Sequence, residues 1–393
     1  MRHDLSHLTH AQRVAIAVTA PRRDRDLTRE LMLACDDWDK VFQIGEHHRF
    51  LAQLAVAAEN LGIASDLPPD ASARLREILL EAVLLDRLFA HSLRGLVERF
   101  DERDVPFLLL KGRGLAERLY DDARERPCRD IDILVREESY ARAREALCSL
   151  SFAPYREDDY RKHHFHVPFV RKGIRVPVIV EVHWDVVFPR SPLQLEVDDW
   201  WDRSRTVQLE AGEVRLPAAQ DDLLLLAHHA FQMFAVTLGG LADVGRVASE
   251  LDSPAWDSIE RRAKSSGVGP FLRQALLLIR EYWGIPAQYL PEPEPSACCR
   301  RWLADNLMAS DAVLSSGHAR WWAYRKVGYW SLLPSGEVGV ADLFSDLDRT
   351  MFGVPHANRP RREFPFRRHL AVCMALALCC LPHRLFPATL KSD

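Results

Sequence analysis

Two aspartates, Asp130 and Asp132, stand two residues apart in CRDIDILV, a run that otherwise wants burial. In a β-strand successive side chains alternate between faces. The two carboxylates therefore point together, while Ile131 and Ile133 point the other way into a core. Their Cα atoms then lie about 7 Å apart, from the rise per strand residue. Carboxylates at that spacing can hold one or two divalent cations. Without a cation they repel, and one of them becomes harder to ionise. A third acid, Glu181, lies within PVIVEVHWD and shares a strand face with His183 and Asp185. If the two strands are neighbours, three carboxylates converge. A bare D-x-D is a common chance match on a solvated strand, so the argument rests on the apolar setting of these acids and on what precedes them.

What precedes them is VPFLLLKG, a short buried strand that ends in Lys111 and Gly112 and leads into the helical stretch RGLAERLY. Exposed amides at a helix start suit anionic phosphates. Lys111 would add a point charge there, and Arg113 or Arg129 a planar fork. Three histidines, His163, His164 and His166, form HHFH. His164 and His166 read as sharing a strand face, either a plain polar face or, with His183, the wall of an acceptor pocket. A metal site is conceivable there, but no cysteine or acid lies beside them at ligand spacing, so the plain polar face is the commoner reading. His228 and His229 lie in an apolar helix, where at least one reads as a core histidine. Asp243 reads as a helix-pairing or capping residue. Gly112-x-Gly114 lacks the third glycine of a dinucleotide fingerprint and the Gly-Lys-Ser/Thr of a P-loop.

These residues need elements to position them. Residues 105–185 read as strand, helix, strand, helix and a strand pair around Arg171-Lys172-Gly173. Before them, about 27–100 shows apolar residues at helical spacing, broken at Pro68-Pro69, with Asp70 placed to cap the next helix. Helical patterning returns after about 215. The expected fold is α+β: a small mixed-sheet core at 105–215, clasped between an N-terminal helical region at 1–104 and a C-terminal one at 216–393.

Bulk properties narrow the function classes. A formal net charge of −4 over 393 residues argues against a long polyanion as partner, although a local basic patch is compatible with it. The 8 cysteines show no CxxC spacing, which points to reduced thiols and a cytoplasmic protein. The charged N-terminus makes a poor signal peptide. The apolar run LAVCMALALCCL at 370–381 is shorter than the roughly 20 residues of a membrane span. It reads as a buried helix or, with the arginines before it, as a weak peripheral membrane contact.

LLLKGRGLAERLY, RPCRDIDILV and IVEVHW, in this order, resemble the uncharacterised nucleotidyltransferase family of the polymerase-beta-like superfamily. Its members look like LKGxxLaxxLY, then Rp-x-x-DIDLLV, then a strand ending in E-x-H-W or D-x-H-W. The resemblance spans roughly residues 30–250. It implies a divalent metal, Mg2+ or Mn2+, held by Asp130, Asp132 and Glu181. It also implies a nucleoside triphosphate such as ATP at Lys111, Gly112, Arg113 and Arg129. The implied reaction moves a nucleoside monophosphate to an acceptor hydroxyl or phosphate on a small molecule, peptide or protein. The sequence departs from better-known nucleotidyltransferases in having Lys111-Gly112-Arg113 where they carry Gly-Ser. Two alternatives therefore stay open: a catalytically inactive nucleotide-binding or regulatory protein, and a toxin-like enzyme acting on tRNA.

Overall fold

The computed structural model describes residues 7–171, 176–189, 191, 193–232 and 236–284. The apolar run at 370–381, the basic tail before it and the cysteine pairs at 298–299 and 379–380 lie outside the described residues. Cys35, Cys128 and Cys148 are free thiols. No helix among the described residues is long and apolar enough to cross a membrane.

Five helices lead the chain: α1 His10–Thr19, α2 Arg25–Leu33, α3 Trp38–His48, α4 Leu51–Asn60 and the long α5 Pro69–Glu102. A capping box of Thr9 and Gln12 opens α1. Pro68 and Pro69 do break the helical run, but Pro68 takes the N-cap position and Asp70 falls inside the first turn. Proline is tolerated there because its missing N–H has no intrahelical partner to lose, and the Asp70 charge suits the positive helix end.

The central part follows as β1 Leu108–Leu110, α6 Gly112–Leu119, β2 Ile131–Leu134, α7 Tyr140–Ser149, β3 Ala153–Pro154, α8 Glu157–His163, β4 His166–Arg171 and β5 Val178–His183. Then come α9 Asp198–Arg203, β6 Arg205–Leu209 and β7 Gly212–Leu216. The strands make one mixed seven-stranded sheet in the order β3-β4-β5-β2-β1-β7-β6. β1 runs antiparallel to β2, β2 parallel to β5, and β5 antiparallel to β4. The helices α10 Ala219–Gln232, α11 Leu238–Ser249, α12 Ser253–Ser266 and α13 Gly269–Trp283 complete the described fold.

Alternation along the strands splits the interior in two. Leu109, Ile131, Ile133, Val180 and Val182 join one hydrophobic cluster, covered by the C-terminal half of α5 and by α7. Leu108, Leu110 and Leu134 face the opposite cluster, which unites α1–α4 with α10–α13. Helices α1–α4 and α10–α13 thus meet on one face of the sheet. The amphipathic α5 supplies the other face, because its second half carries Phe89, Leu93, Leu96 and Phe100 at helical spacing.

Two readings of the sequence need correction. The hairpin β6–β7 was not expected, although Val214 and Leu216 are buried and Glu213 and Arg215 exposed, a period of two. His163 and His164 also lie off the strand. His163 closes α8 and His164 is its C-cap, so only His166 belongs to β4. Three acids in the first turn and Arg161, Lys162 and His163 in the last favour that short helix electrostatically.

Candidate active site

Strand register builds the site. Asp132 pairs with Glu181 and Leu134 with His183 across the parallel β2–β5 ladder. His166 stands opposite His183 across the antiparallel β4–β5 ladder. Leu110, the last residue of β1, stands opposite Asp132, so the next residue, Lys111, emerges at the same level. Paired residues in adjacent strands point to one face. Asp132, Glu181, His183 and His166 are therefore gathered on the sheet face turned toward α10–α13.

The ion pairs confirm that gathering. Asp132 is buried, with Lys111 Nζ 3.5 Å from one oxygen and His183 Nε2 3.0 Å from the other. His183 Nε2 lies 3.5 Å from Glu181, and His166 Nε2 lies 3.8 Å from the other Glu181 oxygen. Glu181 keeps about a quarter of its side chain exposed, so the cluster has an open edge.

The two aspartates are not equivalent. Burial pushes the Asp130 carboxyl up to about 6, with the charges of Asp132 and Glu181 adding to the rise. Burial works on Asp132 in the same direction, but Lys111 and the His183 hydrogen bond outweigh it and hold that carboxyl well below its usual range. Burial lowers His183, yet its bonds to Asp132 and Glu181 win and raise it. His166 is pushed down to about 3, first by burial and then by His183 and His164. The carboxylate made harder to ionise is thus Asp130, and Asp132 carries a settled negative charge.

Backbone geometry shapes the turn before α6. Lys111 has φ 42° and Gly112 φ 45°. A left-handed φ is unremarkable for glycine and uncommon for lysine. A network beneath the turn fixes it. Arg126 donates to the Gly112 carbonyl at 2.9 Å and pairs with Asp243 of α11 at 2.9 Å. The buried Tyr120 hydroxyl donates to Asp243 at 2.6 Å, and the Arg246 guanidinium lies 4.0 Å from the Tyr120 ring. Asp243 is accordingly a helix-pairing residue. Arg126 and Tyr120 were not singled out in sequence, although both stand in the quoted motifs, as the Arg of RPCRDID and the Tyr of LAERLY.

Not every expected residue joins the cluster. Arg113 leaves α6 on another side and is buried among Asp86, Glu117 and Glu210, the last at 3.0 Å. Three carboxylates engage its guanidinium, so it serves to tie α6 to α5 and the β6–β7 turn rather than to meet phosphate. Arg129 is exposed one residue before Asp130. His164 stacks on Tyr160, with ring centroids 4.3 Å apart. His228 is buried in α10 with its ring edge against Phe271 at 5.5 Å. Burial, then the Lys111 charge, depresses it to about 4. His229 adds to the charges that keep Asp132 ionised. α10 therefore faces the cluster, a placement that an apolar helix pattern cannot reveal.

A solved structure of the antibiotic-resistance factor ANT(2'')-Ia is similar at 15% identity and a TM-score of 0.33, over 46% of this chain and 92% of that one. No curated protein matches the chain. The model of the uncharacterised nucleotidyltransferase family matches residues 34–284, from α3's approach through the sheet to the end of α13, and the chain belongs to that family.

Proposed function

We propose that the chain transfers a nucleoside monophosphate from a nucleoside triphosphate to an acceptor hydroxyl or phosphate, using Mg2+ or Mn2+ held by Asp130, Asp132 and Glu181. The observation that carries this reading is the register pairing of Asp132 with Glu181 beside Asp130. Burial raises Asp130, Asp132 and Glu181 add their negative charge to that rise, and Lys111 offsets them only in part. A hard cation would relieve such an imbalance with oxygen ligands, but Asp130 and Asp132 would have to close toward Glu181 to share it, because the described group whose ligand atoms already lie within 4.8 Å of one another is His166, Glu181 and His183. When bound, the metal would draw charge from the phosphate oxygens and ease deprotonation of the acceptor.

The chain's own groups supply the rest. Lys111 neutralises either the Asp132 carboxylate, as here, or a phosphate oxygen nearby. Gly112 brings backbone within reach of phosphate without a side chain in the way. Arg129, exposed beside Asp130, is a second candidate for phosphate. Glu181, which keeps an exposed edge, can accept the acceptor's proton. The attacking oxygen bonds to the α-phosphorus as the bond to pyrophosphate breaks. We assign the acceptor side to the aromatic edge of His164 and Tyr160, next to His166 and His183.

Thermal stabilisation by a panel of nucleoside triphosphates, with and without Mg2+, tests the reading. The expected result is a metal-dependent shift that Asp130→Asn abolishes. A shift equal in wild type and in Asp130→Asn would sink it. A metal-dependent shift without pyrophosphate release from the triphosphate in the presence of any acceptor, tRNA included, would favour the inactive nucleotide-binding protein.

A further inference from the structure

We infer a second metal site, for a first-row transition ion such as Zn2+, built by His166, Glu181 and His183 on the strands next to the aspartate pair. One ligand atom from each of these residues lies within 4.8 Å of the others. The Glu181 oxygens lie 3.8 Å from His166 Nε2 and 3.5 Å from His183 Nε2. Donors around a tetrahedral zinc stand about 3.3–3.6 Å apart, given metal–ligand distances of roughly 2.0–2.2 Å. These two contacts use different oxygens of Glu181, and with one ligand atom from each residue the separations reach up to 4.8 Å, so closing onto an ion takes side-chain shifts of up to about 1 Å.

The ligand types set the class of ion. Two imidazoles and a carboxylate suit zinc, iron, cobalt or nickel, whereas magnesium prefers oxygen and keeps its water. The donors come from a rigid part of the fold. His166 and His183 are directly paired between β4 and β5, and Glu181 is two residues from His183 on the same strand. The two rings lie 4.9 Å apart at an angle of 33°. Asp132 touches one member of the group, His183 Nε2, at 3.0 Å, and water would complete the coordination. Glu181 still has an exposed edge for the ion to enter. No spacing rule applied to the sequence could find this site, because the acid comes to HHFH from a neighbouring strand.

The site shares Glu181 with the proposed Mg2+ site, but its two histidines take no part in that site and its occupancy does not need nucleotidyl transfer. Co2+ serves as the probe, added alone to metal-free full-length protein. Nitrogen-ligated, low-coordinate Co2+ gives intense visible bands, and Zn2+ should displace them at one equivalent. His166→Gln should remove the bands and weaken Zn2+ binding at least tenfold, as read by competition with a chelating dye. Asp130→Asn should keep them while losing the Mg2+ response. X-ray absorption of the zinc-loaded wild type supplies a reading that needs no variant, and imidazole scattering is expected. Weak octahedral cobalt bands in the wild type, an unchanged His166→Gln, or loss of both metals in Asp130→Asn would each overturn the inference. A zinc site with no triphosphate response would instead overturn the proposed function and leave this site standing.

Discussion

The two faces of β2 and β5 are made from interleaved residues of the same strands, yet they are held together by different physics. Ile131, Ile133, Val180 and Val182 point into a dry cluster where every group is satisfied by packing. Asp132, Glu181 and His183, one residue out of phase, point into a cluster of charges that satisfy one another only partly. The dry face can support the charged one because burial of each aliphatic side chain contributes about 1.5–3 kcal/mol, enough to hold strands that also carry buried acids. If the comparison holds, damage on the dry face should read out as stability alone. Damage on the charged face should read out as binding and as a dependence on pH.

The largest effect is expected on the dry face. Ile133 is fully buried, so Ile133→Ala should cost about 2–5 kcal/mol of unfolding free energy. Denaturant titration checks it, with Mg2+ and triphosphate affinity of the folded fraction unchanged. A loss of affinity out of proportion to the loss of folded protein would mean that the faces are coupled through the strand.

Next comes Asp132→Asn in metal-free protein. This change leaves Lys111 and His183 facing a neutral amide. Removing one partner of a sealed ion pair costs about 3–5 kcal/mol, and less is expected here, about 2–3 kcal/mol, because asparagine can still accept from His183. The sign is the sharper statement. The Asp132 carboxyl is held below its usual range, so its charge stabilises the fold above the ordinary carboxylate range and that stability fades as pH falls. A variant as stable as wild type at pH 7 would show that Asp132 is strained rather than supported.

How much of this was legible in the sequence depended on the distance over which each signal acts. The alternation in CRDIDILV set Ile131 and Ile133 on the face opposite Asp132, and LLLKG marked the turn, because both signals are local, but β2 begins at Ile131, so Asp130 precedes the strand that the pattern put it in. The convergence of Asp132 with Glu181 required a strand order that a sequence pattern leaves open. The inequality of the two aspartates depended on Lys111 and His183 arriving from β1 and β5. Arg113 misled for the same reason. Its position beside Gly112 suggested phosphate, but its partners Asp86 and Glu210 lie far off in sequence. Arg126 escaped notice although it holds both the Gly112 carbonyl and Asp243, since a lone arginine in a polar loop has no periodic signature.

Lys111→Ala tests the charged face through binding. Its ammonium is 3.5 Å from Asp132 and only partly exposed. Loss of a charge-assisted contact is worth about 1.5–3 kcal/mol, or about ten- to a hundredfold in affinity. Triphosphate affinity should fall by that factor in calorimetry, and monophosphate affinity by much less. Equal losses for both ligands would place the lysine at the α-phosphate or confine it to Asp132.

The smallest effect is the most specific to the charged face. Asp130 has its carboxyl raised to about 6, by burial and then by Asp132 and Glu181. A raised carboxyl means that the folded state binds the proton more tightly than the unfolded chain does. The fold is therefore relieved below about pH 4, the ordinary carboxylate value, and loses that relief as pH climbs through about 6. Asp130→Asn removes the charge at every pH, so at pH 7 the metal-free variant should melt slightly higher than wild type, and at pH 4 the two should coincide. Mg2+ acts on the same charge from the other side. Its stabilisation of wild type should be small at pH 4 and grow between pH 4 and 6, while Asp130→Asn should show little stabilisation throughout. Melting curves at four or five pH values, with and without Mg2+, measure both trends at once. A variant that melts lower than wild type at pH 7 would mean that Asp130, like Asp132, is held by partners, and the asymmetry between the two aspartates would be gone.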